Sequence, residues 1–287
     1  FMTPTAKHAD IILPVTTAAE KSDISRPWPS GPYFTFINQA IQPQGECKSD
    51  LEIAYALAER LGFNDFKQAE NEEWLRLFCE NNEQLKEHIK DFDKYKEEGV
   101  VRVELKEPIV AFKKEIEDPE NHPFKTPSGK IEIFSQRAAD IDLPNVPPIP
   151  KYLSTAEDRY DPLYEKYPLQ VLTPHGRNRV HSTLTNIEEL QEVDPHRVWI
   201  NPIDADPRGI KSEDDLYIWN DRGKIAIKAW VTERIVPGVL CIFQGTWYDP
   251  DDEGIDQGGC ANTLTTDAYS GGGGAILNTL LVEVAKA

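Results

Sequence analysis

The chain has 287 residues, with 31 Lys and Arg against 49 Asp and Glu, a formal net charge of −18, and 39% hydrophobic residues. This is the composition of a folded chain with room for one large domain or two smaller ones. It excludes a surface that serves as a whole as a nucleic-acid or anionic-membrane platform, because such partners are repelled at long range.

The beginning, FMTPTAKHADIILPV, runs into an apolar stretch without a polar, frayed start and reads as a chain cut inside a domain. Residues 9–15 (ADIILPV) fit a buried strand that closes at Pro14. The following Pro-, Gly- and Ser-rich residues (RPWPSGPYF) suggest a loop with an aromatic, hairpin-like patch. Ser49 and Asp50 then supply caps for a helix whose stripe is Leu51, Ile53, Ala54, Leu57, Ala58 and Leu61, with Gly62 placed to end it. Strand, loop and capped helix in that order suggest the tail of an α/β layer.

Residues 71–98 read as helical and highly charged, with Trp74, Leu75, Phe78, Leu85 and Ile89 as the buried face and the carboxylates as a solvated one. A tight turn at Pro127, Ser128 and Gly129 leads into a predicted strand at 130–134. The proline-rich segment 143–150 is a stiff crossing and the best boundary. Beyond it lie six short β runs: YPLQVLTP, HRVWINP, DDLYIWND, GKIAIKAWV, GVLCIFQG and NTLLVEVAK. With Asn220–Gly223 as a hairpin signal, they describe an all-β barrel or sandwich. The expected class is therefore an α/β fragment plus an all-β barrel. The expected organisation is residues 1–65 as the α/β tail, 66–150 as a helical and extended connection, and 151–287 as the barrel.

No apolar run of about 18 residues spans a bilayer, and no export signal is present within the chain. Cys47, Cys79, Cys241 and Cys260 form neither a CxxC pair nor a His/Cys cluster, so they are expected to be small buried or half-buried thiols and not metal ligands. GxSxG, Walker A and GxGxxG motifs are all missing, and no catalytic residue is assigned.

Two stretches can hold a ligand. Residues 166–187 (LTPHGRNRVHSTLTN within them) contain two arginines, two histidines and several Ser/Thr hydroxyls but no carboxylate. In so acidic a chain this is a local positive exception, suited to a pyrophosphate or polar heterocycle. The alternative is a surface loop whose arginines pair with acidic neighbours. The spacing of His175 and His181 favours no zinc site. In residues 243–266, Asp249, Asp251, Asp252 and Glu253 lack the alternating spacing of a calcium loop and read as a solvated acidic turn. Gly258, Gly259 and Asn262 in the same stretch allow close backbone approach and bidentate pairing with a planar ring.

Taken together, several runs resemble the molybdopterin oxidoreductase family, in particular the C-terminal portion of the catalytic (A) subunits of membrane-associated dimethyl sulfoxide reductases. They are MTPTAKHADIILPVTTAAEKSD, PQGECKSDLEIAYALAERLG, FKTPSGKIEIFS, LTPHGRNRVHST, NPIDADPRGIKSEDDLYIWNDRGKIAIKAWVTERIVPGVL and FQGTWYDPDDEGIDQGGCANTLT. The resemblance implies a double-psi β-barrel covering molybdenum held between two molybdopterin guanine dinucleotides. It carries over Thr173, His175, Arg177, Arg179, Val180, His181, Ser182, Thr183 and Asn262 as cofactor contacts, followed by Gln244 and Gly245. It further implies a parent oxidoreductase that removes oxygen from S-oxides or N-oxides in anaerobic respiration. A 4Fe–4S cluster and the molybdenum ligand would lie upstream of Phe1. An iron–sulfur electron-transfer subunit and a membrane anchor would be partners, at the periplasmic or extracytoplasmic face of the cytoplasmic membrane. The fragment alone is expected to bind cofactor weakly and to be inactive. Rival readings are another oxidised substrate (selenate, thiosulfate, polysulfide, arsenate) or a non-enzymatic binding module.

Overall fold

A computed structural model describes residues 1–287 apart from 28–30, 64, 67–68, 106 and 155. The chain divides into two units, Ala9–His122 on the one hand and Phe1–His8 with Pro123–Ala287 on the other.

In the first unit the helix Asp50–Arg60 begins where the caps place it. Ser49 Oγ accepts from Glu52 N at 3.2 Å while the Glu52 carboxylate accepts from Ser49 N at 2.7 Å, a reciprocal capping box. Leu61 is its C-cap, and Gly62 follows at φ +86, the left-handed turn that glycine adopts without strain. The aromatic patch forms a hairpin of β1 (Asp23–Ser25) and β2 (Tyr33–Ile37), extended by β3 (Val100–Arg102) into an antiparallel sheet. Trp28, Pro29 and Ser30 of that patch lie outside the described residues. Strand alternation turns Phe34 and Phe36 inward, and Phe36 meets Phe92 and Tyr95 edge-on at 5.6 and 5.7 Å.

Three local expectations differ. Residues 71–98 form two helices, Asn71–Asn81 and Phe92–Glu98, not one continuous pattern. Asn82 ends the first, and its side-chain oxygen accepts from Gln84 N and Leu85 N to start a new turn. The stripe is thereby broken. Leu85 and Ile89 are buried as expected, but Trp74 and Phe78 are exposed, and Cys79, Phe92 and Tyr95 complete the cluster. Residues 9–15 form no strand: Ile11, Ile12 and Leu13 are exposed, and Val15 alone bridges to Lys48. Residues 130–134 likewise lack strand pairing, with Ile131, Ile133 and Phe134 exposed, although the preceding turn closes at Gly129 (φ +70) through Gly129 N to Thr126 O. In both stretches apolar side chains alone do not form a strand; a strand needs a neighbouring ladder to satisfy its backbone.

The six β runs all form strands: β4 (Leu169–Leu172), β5 (Arg197–Ile200), β6 (Asp215–Trp219), β7 (Lys224–Val231), β8 (Val239–Cys241) and β9 (Leu280–Lys286). They close into a barrel in the order β4-β8-β5-β7-β6-β9, with β9 pairing back onto β4. The pairs β4/β8 and β5/β7 are parallel, and the other seams are antiparallel. Along β7, Ile225, Ile227 and Ala229 point inward by the two-residue period, and they join Val171, Val198, Ile200, Leu216, Ile218 and Leu240 in a core closed to solvent. The Asn220–Gly223 turn links β6 to β7 through Asn220 N to Gly223 O at 3.1 Å. The fold class is thus the expected one, α/β elements together with a closed barrel.

Candidate functional site

Parallel pairing decides where the candidate residues meet. Because β4 and β8 run side by side in one direction, the chains leaving their C-terminal ends start next to each other. Their ladder continues through Ile242 N to Leu172 O and Gln244 N to Pro174 O, both at 3.0 Å, and His175 bridges Gln244. The acid-free stretch after β4 and the glycine-rich stretch after β8 are therefore one structural unit.

Close approach then locks the two loops. Gly245 has φ +101, and a Cβ there would lie 1.9 Å from the carbonyl oxygen of His181, so no other residue fits without moving the backbone. Thr185 donates to the Gly245 carbonyl at 2.8 Å, and the Trp247 indole donates to the Ser182 carbonyl at 2.9 Å. Thr183 N returns to Val180 O, which makes a tight turn with His181 at φ +51. The His175 and His181 rings pack edge-on, 4.7 Å apart. Thr173 anchors the start of the loop: it is buried, and its hydroxyl donates to Leu277 O at 2.8 Å.

Two clefts flank this double loop and share Thr246 and Trp247 as a wall. One, of about 660 Å³, is lined by Ser182, Thr183 and Asn262 together with Thr3 and Thr5. The other, of about 610 Å³, is lined by Arg179, Thr185, His196, Gln257 and Gly258. Asn262 sits exposed in the turn Ala261–Thr263. The structure thus brings Thr173, His175, Arg179, Val180, His181, Ser182 and Thr183 into one double loop with Gln244 and Gly245, with Asn262 across the Ser182 cleft, whereas Arg177 is exposed and lines neither cleft. Val180 stands out at 63% exposure.

Among the described residues neither Arg177 nor Arg179 forms an ion pair with a carboxylate. Arg177 is exposed, whereas Arg179 is half-buried and burial lowers its pKa from the usual arginine range. Asp194 acts on Arg179 electrostatically but forms no ion pair with it among the described residues, and a guanidinium taken partly out of water without a carboxylate in hydrogen-bond contact is a group that an anionic ligand would complete. The chemistry therefore fits a phosphorylated cofactor, and of the two readings of residues 166–187 it favours the ligand site.

Two contributors were not legible in the sequence. Asp256 is fully buried, and its carboxylate accepts from Asp249 N, Gly258 N, Cys260 N and Thr263 Oγ1, which folds the whole 249–263 loop around one anion. It lay hidden next to the acidic turn 249–253, where only the carboxylate count was informative. His196, at the start of β5, lies between the loops: its Nε2 is 2.9 Å from the Gly259 carbonyl and its Nδ1 3.3 Å from Arg179 Nη2. Nothing in DPHRVW signalled it. The acidic turn itself holds no cation cluster, and no group of three or more metal-ligating side chains occurs among the described residues. All four cysteines are free thiols, Cys47 half-buried and the others buried, and burial raises Cys79 and Cys241 to about 11 and shifts Cys260 upward too.

A closed barrel carrying this pair of anion-seeking loops is a ligand-binding barrel of the dinucleotide-holding class. Residues 169–276 match the molydopterin dinucleotide binding domain, and residues 1–60 match the molybdopterin oxidoreductase family. The chain belongs to the molybdopterin oxidoreductase family. Dimethyl sulfoxide reductase DmsA of Escherichia coli (strain K12) is 41% identical over 99% of the chain, which covers 37% of that protein. The dimethyl sulfoxide/trimethylamine N-oxide reductase of Cereibacter sphaeroides is 36% identical over 99% of the chain and 37% of that protein. Acetylene hydratase from Pelobacter acetylenicus shares the fold, with a TM-score of 0.74 at 20% identity over all of this chain and 39% of that one. The chain spans little more than a third of these relatives.

Proposed function

We propose that this chain is the dinucleotide-holding part of a molybdenum oxidoreductase that reduces S-oxides or N-oxides. The observation that carries the reading is Arg179, which lines a cleft and forms no ion pair among the described residues, in an acid-free loop that also carries the exposed Arg177, on a chain of net charge −18. The relatives, a dimethyl sulfoxide reductase and a dimethyl sulfoxide/trimethylamine N-oxide reductase, support the substrate class.

Bis-molybdopterin guanine dinucleotide, when bound, supplies the two-electron chemistry of oxygen-atom removal. This chain's residues bind and orient it, which is the protein's usual share of cofactor chemistry. Arg177 and Arg179 neutralise pyrophosphate charge. His175, His181, Ser182 and Asn262 hydrogen-bond the ring edges, and Thr183, Val180 and Gln244 shape the rim. Thr173 and Gly245 hold the loops in register. The parent enzyme receives electrons through a 4Fe–4S cluster and an iron–sulfur subunit, and a membrane-anchor subunit holds it at the extracytoplasmic face of the cytoplasmic membrane during anaerobic respiration. By itself the chain binds the cofactor weakly and is inactive, since a cofactor of this kind is buried between domains.

The test is molybdenum content in the intact enzyme. Replacing Arg177 with Ala removes one charge-assisted contact and lowers occupancy by about tenfold under limiting cofactor. Unchanged molybdenum in the purified variant overturns the assignment.

A further inference from the structure

We propose that His196 is a positioning residue for the cofactor: its imidazole ties Arg179 to the Gly259 loop and so sets where the guanidinium meets phosphate. The proposal rests on the reading that Arg179 contacts the dinucleotide.

The geometry permits one tautomer only. A carbonyl oxygen can accept but not donate, so the 2.9 Å contact with Gly259 O places the proton on Nε2. Nδ1 is then a lone-pair acceptor, and the 3.3 Å contact is Arg179 Nη2 donating to it. A neutral histidine is an unusual partner for a guanidinium. It orients the cation without itself cancelling the charge, and Asp194, which acts on both groups electrostatically, forms no ion pair with Arg179 among the described residues; a carboxylate in the place of the histidine would neutralise it. Arg179 makes no other hydrogen bond to protein among the described residues, so its remaining N–H donors are unspent.

Packing on both sides fixes the arrangement. A Cβ at Gly176 would lie 3.0 Å from Arg179 Nε, so the guanidinium lies directly over that peptide. A Cβ at Gly259 would lie 3.1 Å from His196 Cδ2 and Nε2. Two glycines thus make room for one histidine–arginine pair, which joins the 174–185 loop to the 256–260 loop through the residue just before β5. His196 lines the same cleft as Arg179 but offers no free nitrogen to a ligand. It acts through Arg179.

The test uses the intact enzyme with four variants, His196→Leu, His196→Gln, Arg179→Ala and the double His196→Leu/Arg179→Ala, measured by molybdenum and guanine content per polypeptide. Expected is an approximately tenfold loss for His196→Leu, a similar loss for Arg179→Ala, and no further loss in the double variant, since both remove one interaction. His196→Gln, whose amide can accept from Arg179 and donate to Gly259, restores content. A normal content in His196→Leu beside a low one in Arg179→Ala overturns the positioning role. Unchanged content in Arg179→Ala overturns the underlying contact instead, and the two failures are thereby separate. A double variant well below either single one, or a glutamine that does not rescue, marks His196 as packing only and also overturns the proposal. Should the leucine variant not fold, nitrogen-15 histidine spectra of the unaltered enzyme decide. An unprotonated Nδ1 that shifts in Arg179→Ala supports the link, and one that does not shift overturns it.

Discussion

Asp256 shows how much of a loop can depend on a single side chain. Its two oxygens take up three backbone N–H groups and one hydroxyl while excluded from solvent. Removing them leaves several buried donors without acceptors, each costing about 1–3 kcal/mol. Asp256→Ala is expected to lower stability by about 3 kcal/mol or more, read as a fall in the urea midpoint, and to loosen Gly258 and Gly259 in hydrogen exchange. An unshifted midpoint would show that the loop does not need the anion. Gly245 illustrates the opposite economy, since what matters there is the missing Cβ beneath the His181 carbonyl. At this scale the sequence is informative where composition carries the signal and silent where geometry does. An acid-free run in an acidic chain is visible by counting. A histidine whose meaning lies in a carbonyl and a guanidinium contributed by two distant loops is not.

At the level of elements, the strands of the barrel were legible because a closed core imposes strict alternation, as in Ile225, Ile227 and Ala229 of β7. The apolar run 9–15 has no such alternation, and its exposed isoleucines show that hydrophobicity without a ladder does not define a strand. The helix Asp50–Arg60 was legible from its caps. Its box gives a simple test: Ser49→Ala removes the acceptor for Glu52 N and is expected to cost about 1 kcal/mol in thermal or urea unfolding of that unit. No loss would mean that packing alone carries the helix. The break at Asn82 was missed because a charged amphipathic pattern continues across it, while the turn depends on one side-chain oxygen.

For the whole molecule, protons bind in two separate ranges. His196 is pushed down to about 4, chiefly by burial and further by the Arg179 charge, from an ordinary value of 6.5. The unfolded chain therefore takes up this proton first, and stability rises with pH, and is lost on acidification, wherever the unfolded chain binds more protons than the folded one. The contribution is complete above about 6.5 and is lost progressively toward 4. Glu20, Asp158 and Asp251 are held below their usual range, Glu20 by the Thr17 amide first, Asp158 by the Ser154 hydroxyl and Asp251 by the Ile255 amide, so their contributions vanish at lower pH. Urea titrations are expected to show a first decline between pH 6.5 and 4 that His196→Gln removes, and a second decline below it that the variant keeps. A first decline that persists in the variant would assign it to other groups.

The ring of strands has a consequence for biosynthesis. β9 is the stave between β4 and β6, pairing Leu169 with Val282 on one side and Leu216 with Lys286 on the other. Until Lys286 has left the ribosome, two seams of the barrel are open and the strands on either side of the gap expose their edges. The double loop after β4 and β8 precedes β9 in the chain, so it is made before the strand that closes the ring on which it is mounted.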